Sequence, residues 1–211
     1  MLRQITNEYV QYGCGNSAPE TWLNFDASPT LRFERLPLFG RLYTRNAQRF
    51  LPNVQYGNIV AGLPIRNSSC NGIYCSHVLE HLSLDDFRRA LKNTYAYLRD
   101  GGTFRLVVPD LENLARIYLA GSDAEASLRF MQSSCLGRKS RPRSFFAFIS
   151  EWLGNSAHLW MWDEKSMMLE LQRQGFVNIR RAAFGDADDD RFAEVEQEDR
   201  FFGALAIQCV K

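Results

Sequence analysis

The sequence has no C-x-x-C pair, no run approaching the roughly 18 apolar residues of a membrane span, and almost no net charge. Its cysteines are Cys14, Cys70, Cys75, Cys135 and Cys209, an odd set of five with no metal-site spacing, which fits a reducing, cytoplasmic setting. A net charge of +1 over 211 residues excludes a chain that binds polyanions along its whole length, so no nucleic-acid partner is expected. The first residues are polar and mixed in charge, so no signal peptide is expected. Histidine is scarce as well: His77, His81 and His158 are the only side chains of that type. No internal repeat is visible. What is present is ordinary for a globular protein, 45% hydrophobic and 23% charged, and 211 residues suffice for one domain with its own core.

The most legible stretch runs from Gly72 to Asp110. A short apolar run (residues 73–75) leads through a histidine-bearing turn to a helix, and a second apolar run follows (residues 104–108). Ser83 and Asp86 form an S-x-x-D start. Phe87, Ala90, Leu91, Thr94, Tyr95 and Leu98 recur at helical spacing, and Gly101-Gly102 is expected to end the helix. Two strands joined by a helix make a parallel crossover, so the fold class is α/β.

Upstream, a weak strand (residues 9–12) runs into Gly13-Cys14-Gly15, and a second strand (residues 22–25) ends on Asp26. Glycines directly after a strand permit close approach of a ligand to the backbone, and an acid after the next strand can accept from ribose hydroxyls. Residues 27–52 set Arg32, Arg35, Arg41, Arg45 and Arg49 among apolar teeth. This pattern suits either a helix packed on the sheet or a contact with an anionic surface or substrate.

Residues 120–155 hold many aromatics and a basic knot from Arg138 to Arg143, a composition that fits a lid or a further packing helix. The Asp110 side chain is placed to cap a helix after the second apolar run. Asp163 and Gly175 bracket another helix, and two closing strands are expected at 176–184 and 201–210. The acidic residues between those strands are read as a solvated connection.

These pieces resemble the S-adenosylmethionine-dependent methyltransferases of Rossmann-like fold, in particular the type 11-like group. The likeness is carried by Gly13-Cys14-Gly15-Asn16, by Trp22-Leu23-Asn24-Phe25-Asp26, by Tyr74-Cys75-Ser76-His77-Val78-Leu79-Glu80-His81-Leu82, and by Leu98-Arg99-Asp100-Gly101-Gly102. The resemblance implies a mostly parallel seven-stranded sheet with helices on both faces and an antiparallel last strand. It implies one domain over residues 1–211, with insertions at about 27–52 and 120–155. It also implies S-adenosylmethionine as cofactor, held by Gly13, Cys14, Gly15, Asn16, Asp26, Asn58, Ile59 and Ser76. The sequence departs from the pattern at Ser17, at Gln11 and at Asn58, where a third glycine and two acids are usual, and the first helix is nearly absent.

Methyl transfer to a hydroxyl needs a base, and His77, just after the fourth strand, is the first candidate, followed by His158 and Asp110. His77 stands where an amine-positioning motif would otherwise lie, which favours O-methylation of a small-molecule or glycan acceptor. The arginine-rich segments extend this to a lipid-linked sugar or an anionic membrane surface linked to polysaccharide synthesis. Two rivals stand beside it. One is a methyltransferase-like binding protein without turnover. The other is a zinc peptidase, because His77-Val78-Leu79-Glu80-His81 matches H-x-x-E-H. That motif needs both histidines on one helical face, whereas Ser83 starts the helix only after it, so no metal is expected.

Overall fold

The computed structural model describes residues 8–36, 49–138, 143–144 and 157–211. Its sheet contains β1 (Glu8–Tyr12), β2 (Leu23–Asp26), β3 (Val54–Tyr56), β4 (Cys70–Ser76), β5 (Leu98–Pro109), β6 (Val177–Ala182) and β7 (Ala204–Val210). The seven strands lie in the order β3-β2-β1-β4-β5-β7-β6. All pairings are parallel except those of β7, which runs antiparallel to both β5 and β6. The described helices are α1 (Pro29–Glu34), α2 (Leu84–Tyr97), α3 (Leu111–Ala120), α4 (Ala126–Ser133) and α5 (Glu164–Gln174). Among the described residues, no helix is long and apolar enough to cross a membrane.

Local chemistry explains where the helices begin. The Ser83 hydroxyl accepts from the Asp86 N–H at the start of α2, and Asp110 accepts from the N–H groups of Glu112 and Asn113 at the start of α3. Helix α5 opens on a full capping box between Asp163 and Ser166 and closes on Gly175 in the left-handed conformation. One expected boundary moves. Helix α2 ends at Tyr97, and Leu98 is already paired with Cys70, so Gly101-Gly102 lies inside β5. A Cβ on Gly102 would stand 2.9 Å from the carbonyls of Arg99 and Cys70, which is why the strand carries glycine there.

The central strands bury both faces, so their alternation separates two cores. Val10, Tyr12, Phe25, Ile73, Cys75, Phe104, Leu106 and Ile207 point to one side, where α2 and α5 cover them with Phe87, Ala90, Leu91, Met167 and Leu171. Tyr74, Val107 and Ala206 point to the other, against Trp22, Phe192 and Val195. Helix α1 covers the β3 edge of that second side with Leu31, against Val54 and Cys14.

The second core corrects the reading of the acidic connection. Phe192, Val195 and Glu196 are buried, and residues 183–203 fold over the sheet as two short 3-10 turns, Asp190–Glu194 and Glu198–Phe201. The reason is Arg105. Its guanidinium points into this face from β5 at 1% exposure and donates to Glu196 and Asp186 carboxylates, to Gln208 Oε1 and to the Ala183 carbonyl. A buried cation demands partners, and the acids of the connection provide them. With almost no helix between β1 and β2, this connection covers part of the sheet instead.

Candidate functional site

The carboxyl ends of β1, β2 and β4 converge on the loop Gly13-Cys14-Gly15. Gly13 and Gly15 take left-handed backbone, φ +68 and +53. At Gly13 this is obligatory on two counts, since a Cβ would also stand 2.1 Å from Cγ2 of Val78 in the turn after β4. The loop is tied down by the Cys14 N–H donating to the Phe25 carbonyl and the Ser17 N–H donating to the Cys14 carbonyl. Gln11, standing where an acid is usual, is buried and donates through Nε2 to the Ser17 carbonyl at 2.7 Å and to Asn24 Oδ1. An amide suits this place because it must donate to the loop.

Asp26 is buried at the end of β2. Its Oδ2 accepts from the Gly15 N–H at 3.1 Å and its Oδ1 from the Ser28 N–H at 2.7 Å. Each carboxylate oxygen retains acceptor capacity for a ligand hydroxyl. Burial, followed by the neighbouring Asp26 carboxylate, pushes the Cys14 thiol up to about 12. Beside this loop, Tyr74 Oη and Ser76 Oγ are buried without a hydrogen-bond partner, and both line a small cavity with Gln11, Gly13 and Ser17. Arg200 of the second 3-10 turn and Gln197 just before it close it from the other side, leaving about 20 Å³, room for a single water.

The other expected contacts differ in kind. Asn58 spends its amide oxygen on the Val60 N–H at 2.8 Å, shaping its own loop. Ile59 lies in the core at 4% exposure, and its carbonyl accepts from the Asn93 amide. Its side chain is therefore a packing element, and only its backbone remains for a ligand. Asn16 lies on the loop surface, immediately after the left-handed Gly15.

His77 follows β4 with φ +55, a backbone state uncommon for a side-chain-bearing residue. Its Nε2 lies 3.0 Å from the Arg200 carbonyl and its Nδ1 lies 3.3 Å from Glu80 Oε1. Burial alone would lower its pKa, but the Glu80 carboxylate and the Arg200 carbonyl outweigh that and hold it above the ordinary imidazole value. His158 sits against His81, ring centroids 4.9 Å apart. Burial lowers its pKa, against the pull of Glu80. Asp110 is held on both sides: one oxygen caps α3 and the other accepts from Arg181 at 3.0 Å. The residues 77–81 do not form one helical face, since only Leu79–His81 is a 3-10 turn and α2 begins beyond it. The peptidase ligand arrangement is therefore not formed.

A polar cleft of about 430 Å³ opens past the end of β5, lined by Asp110, Glu112, Asn113, Arg116, Glu164 and Arg181. Gln197 and Arg200 were not marked by any sequence pattern, and they lie in a segment whose burial depends on Arg105. Tyr74 stands in a stretch that carries the family likeness, but nothing in the sequence gives it a role at the site. Glu80 stood inside a legible motif, but only the fold shows that it is fully buried.

A family profile described as a methyltransferase domain matches residues 9–181. No curated protein sequence matches the chain. Three solved structures are similar to it along nearly its whole length. A S-adenosylmethionine-dependent methyltransferase from Mesorhizobium loti is 17% identical, with 97% of this chain and 90% of that one covered and a TM-score of 0.49. A SAM-dependent methyltransferase from Archaeoglobus fulgidus is 12% identical, with 99% and 87% covered and a TM-score of 0.49. A possible histamine N-methyltransferase from Thermotoga maritima is 15% identical, with 97% and 82% covered and a TM-score of 0.48.

Proposed function

Because the chain belongs to the methyltransferase-domain family, we propose that it transfers a methyl group from S-adenosylmethionine to a hydroxyl of a small-molecule or glycan acceptor. The observation that carries this reading is the pairing of the left-handed Gly13 and Gly15 loop with buried Asp26, next to the unpartnered Tyr74 and Ser76 hydroxyls. These residues fit the cofactor chemically: acceptors for ribose hydroxyls, bare backbone for close approach, and donors without a partner. When bound, the cofactor supplies an electrophilic methyl group on a sulfonium.

Asp26 would hold the ribose, Gly13, Cys14, Gly15 and Asn16 would bring backbone against the cofactor, and Ser76 and Asn58 would contribute further polar contacts. The Gln197–Arg200 side of the cavity must move outward to admit a ligand, which would release His77 Nε2 from the Arg200 carbonyl. His77 is then the base that takes the acceptor's proton. Of the other two candidates, His158 packs its ring against His81, and Asp110 caps α3 and pairs with Arg181. The polar cleft beyond β5 suits a polyhydroxylated acceptor, since its carboxylates, amide and guanidinium groups are hydroxyl partners.

We further infer one domain over residues 1–211, with the sheet built from both ends of the chain. Of the basic segment, Arg32 stacks on Tyr56 and Arg35 donates to the Leu51 carbonyl, both packing roles. Contact with a lipid-linked sugar or an anionic membrane would then use Arg49, Arg138 and Arg143 together with Arg41, Arg45 and residues 139–142, of which Arg41, Arg45 and 139–142 lie outside the described residues.

The test is calorimetric titration with S-adenosylmethionine of the intact protein and of Asp26→Ala, followed by transfer of labelled methyl to a panel of saccharides and phenols. Micromolar binding that Asp26→Ala loses, with transfer to a hydroxyl, supports the proposal; no binding by the intact protein overturns it. The closed loop cavity favours a second reading, a binding protein without turnover, which cofactor binding with no transfer to any acceptor would support.

A further inference from the structure

Glu80 sits at the centre of an arrangement that the methyl-transfer reading does not use. It is 0% exposed, and neither carboxylate oxygen has a hydrogen-bond partner. A buried anion left this way is costly unless a cation stands beside it. Around it are His77 Nδ1 at 3.3 Å, without hydrogen-bond geometry, and His81 Nε2 at 4.0 Å. His158 Nδ1 is likewise buried without a partner. One ligand atom from each of Glu80, His81 and His158 lies within 4.8 Å of the others.

The orientation of His81 points the same way. His81 Nδ1 lies 3.1 Å from the Ala157 carbonyl, an acceptor, so that nitrogen donates and Nε2 is the one turned toward Glu80. Metal-ligating histidines are oriented in this manner, the second nitrogen donating to a backbone carbonyl. The frame behind the cluster is rigid as well. The Glu80 carbonyl accepts from the N–H groups of Leu159 at 2.7 Å and Trp160 at 3.1 Å, which pins the His158 segment to the turn after β4.

We propose that Glu80, His81 and His158 bind one divalent transition-metal ion, with zinc as the reference ion. Two imidazoles and a carboxylate suit zinc or its first-row neighbours and disfavour magnesium and calcium. Ligand atoms around a tetrahedral zinc stand about 3.4 Å apart, so the three groups close by roughly 1 Å on binding, within reach of side-chain rotation. The fourth position remains for water. This ligand set differs from that of the H-x-x-E-H peptidases, in which both motif histidines bind and the glutamate is a base. Here His77 faces the Arg200 carbonyl, the glutamate is a ligand, and the third ligand comes from the far side of residues 120–155.

The alternative is that no ion binds and the histidines beside Glu80 supply its counter-charge. The deciding experiment uses the full chain carrying Cys135→Ser, because Cys135 is an exposed thiol whose own zinc affinity would confuse the result. The chelator-stripped protein is titrated with zinc against a chromophoric competitor, with magnesium as control, and its melting temperature is followed. One equivalent bound at micromolar affinity or tighter, with a rise in melting temperature, is expected. His158→Ala should weaken it by more than the ~10–100-fold typical of outer-shell partners. If that variant fails to fold, cobalt substitution in the parent protein must show nitrogen and oxygen ligation of the ion. No zinc binding, binding unchanged by His158→Ala, or no such cobalt signature overturns the proposal. The site stands apart from cofactor binding, so S-adenosylmethionine titrations on the same samples keep the two readings separable.

Discussion

Nε2 of His77 lies 3.0 Å from the carbonyl of Arg200, a contact that spans 123 positions in the chain. It ties the turn after β4 to the Glu198–Phe201 turn, whose Arg200 lines the cavity beside the glycine loop. Removing the imidazole should loosen that turn without touching the sheet. In His77→Ala, amide hydrogen exchange at residues 200–203 is expected to accelerate about tenfold or more, with β4 and β5 unchanged. Equal exchange in both proteins would show that the turn is held by other contacts.

Gly13→Ala is expected to destabilise the protein by roughly 1–3 kcal/mol, from the overlap with Val78 and the left-handed backbone together. Adding Val78→Ala removes the overlap but leaves the backbone strain, so the double variant should recover only part of the loss. Urea denaturation of the two variants separates the contributions.

Arg105→Met leaves Glu196 buried without its cation and should lower stability by about 3–5 kcal/mol. Pairing it with Glu196→Gln takes the stranded charge away and should restore much of that. If the double variant is no more stable than Arg105→Met, the buried ion pair is not what holds the connection on the sheet.

Thiol labelling should follow burial. The Cys14 thiol is pushed up to about 12 and the Cys70 thiol to about 11, chiefly by burial, and burial raises Cys75 and Cys209 as well. A raised thiol pKa means less thiolate, so at pH 8 the buried thiols are almost wholly in the unreactive protonated form. Iodoacetamide at that pH is expected to modify exposed Cys135 in the native protein and all five cysteines in guanidinium. Rapid native labelling of Cys14 would contradict the closed packing of the glycine loop.

What could be read from the sequence was local. The caps Ser83, Asp110, Asp163 and Gly175 act within a few residues of themselves, and the strand–glycine–strand–Asp26 order is a contiguous pattern. The crossover through α2 follows from periodicity and handedness alone. The remainder depended on pairs distant in the chain. Asp186 and Glu196 read as solvated acids until β5 brings Arg105 beneath them, and the same fold makes Phe192 and Val195 core residues. Ile59, expected as a cofactor contact, is a core side chain whose carbonyl is held by Asn93 of α2. Glu80, His81 and His158 meet only because the chain beyond residue 156 returns to the turn after β4. Side-chain pattern therefore determined where the capped helices begin and what the glycine loop can approach. Which charges are buried, and which histidines share a carboxylate, was decided by tertiary packing, because a charge's environment is set by whatever the fold places beside it.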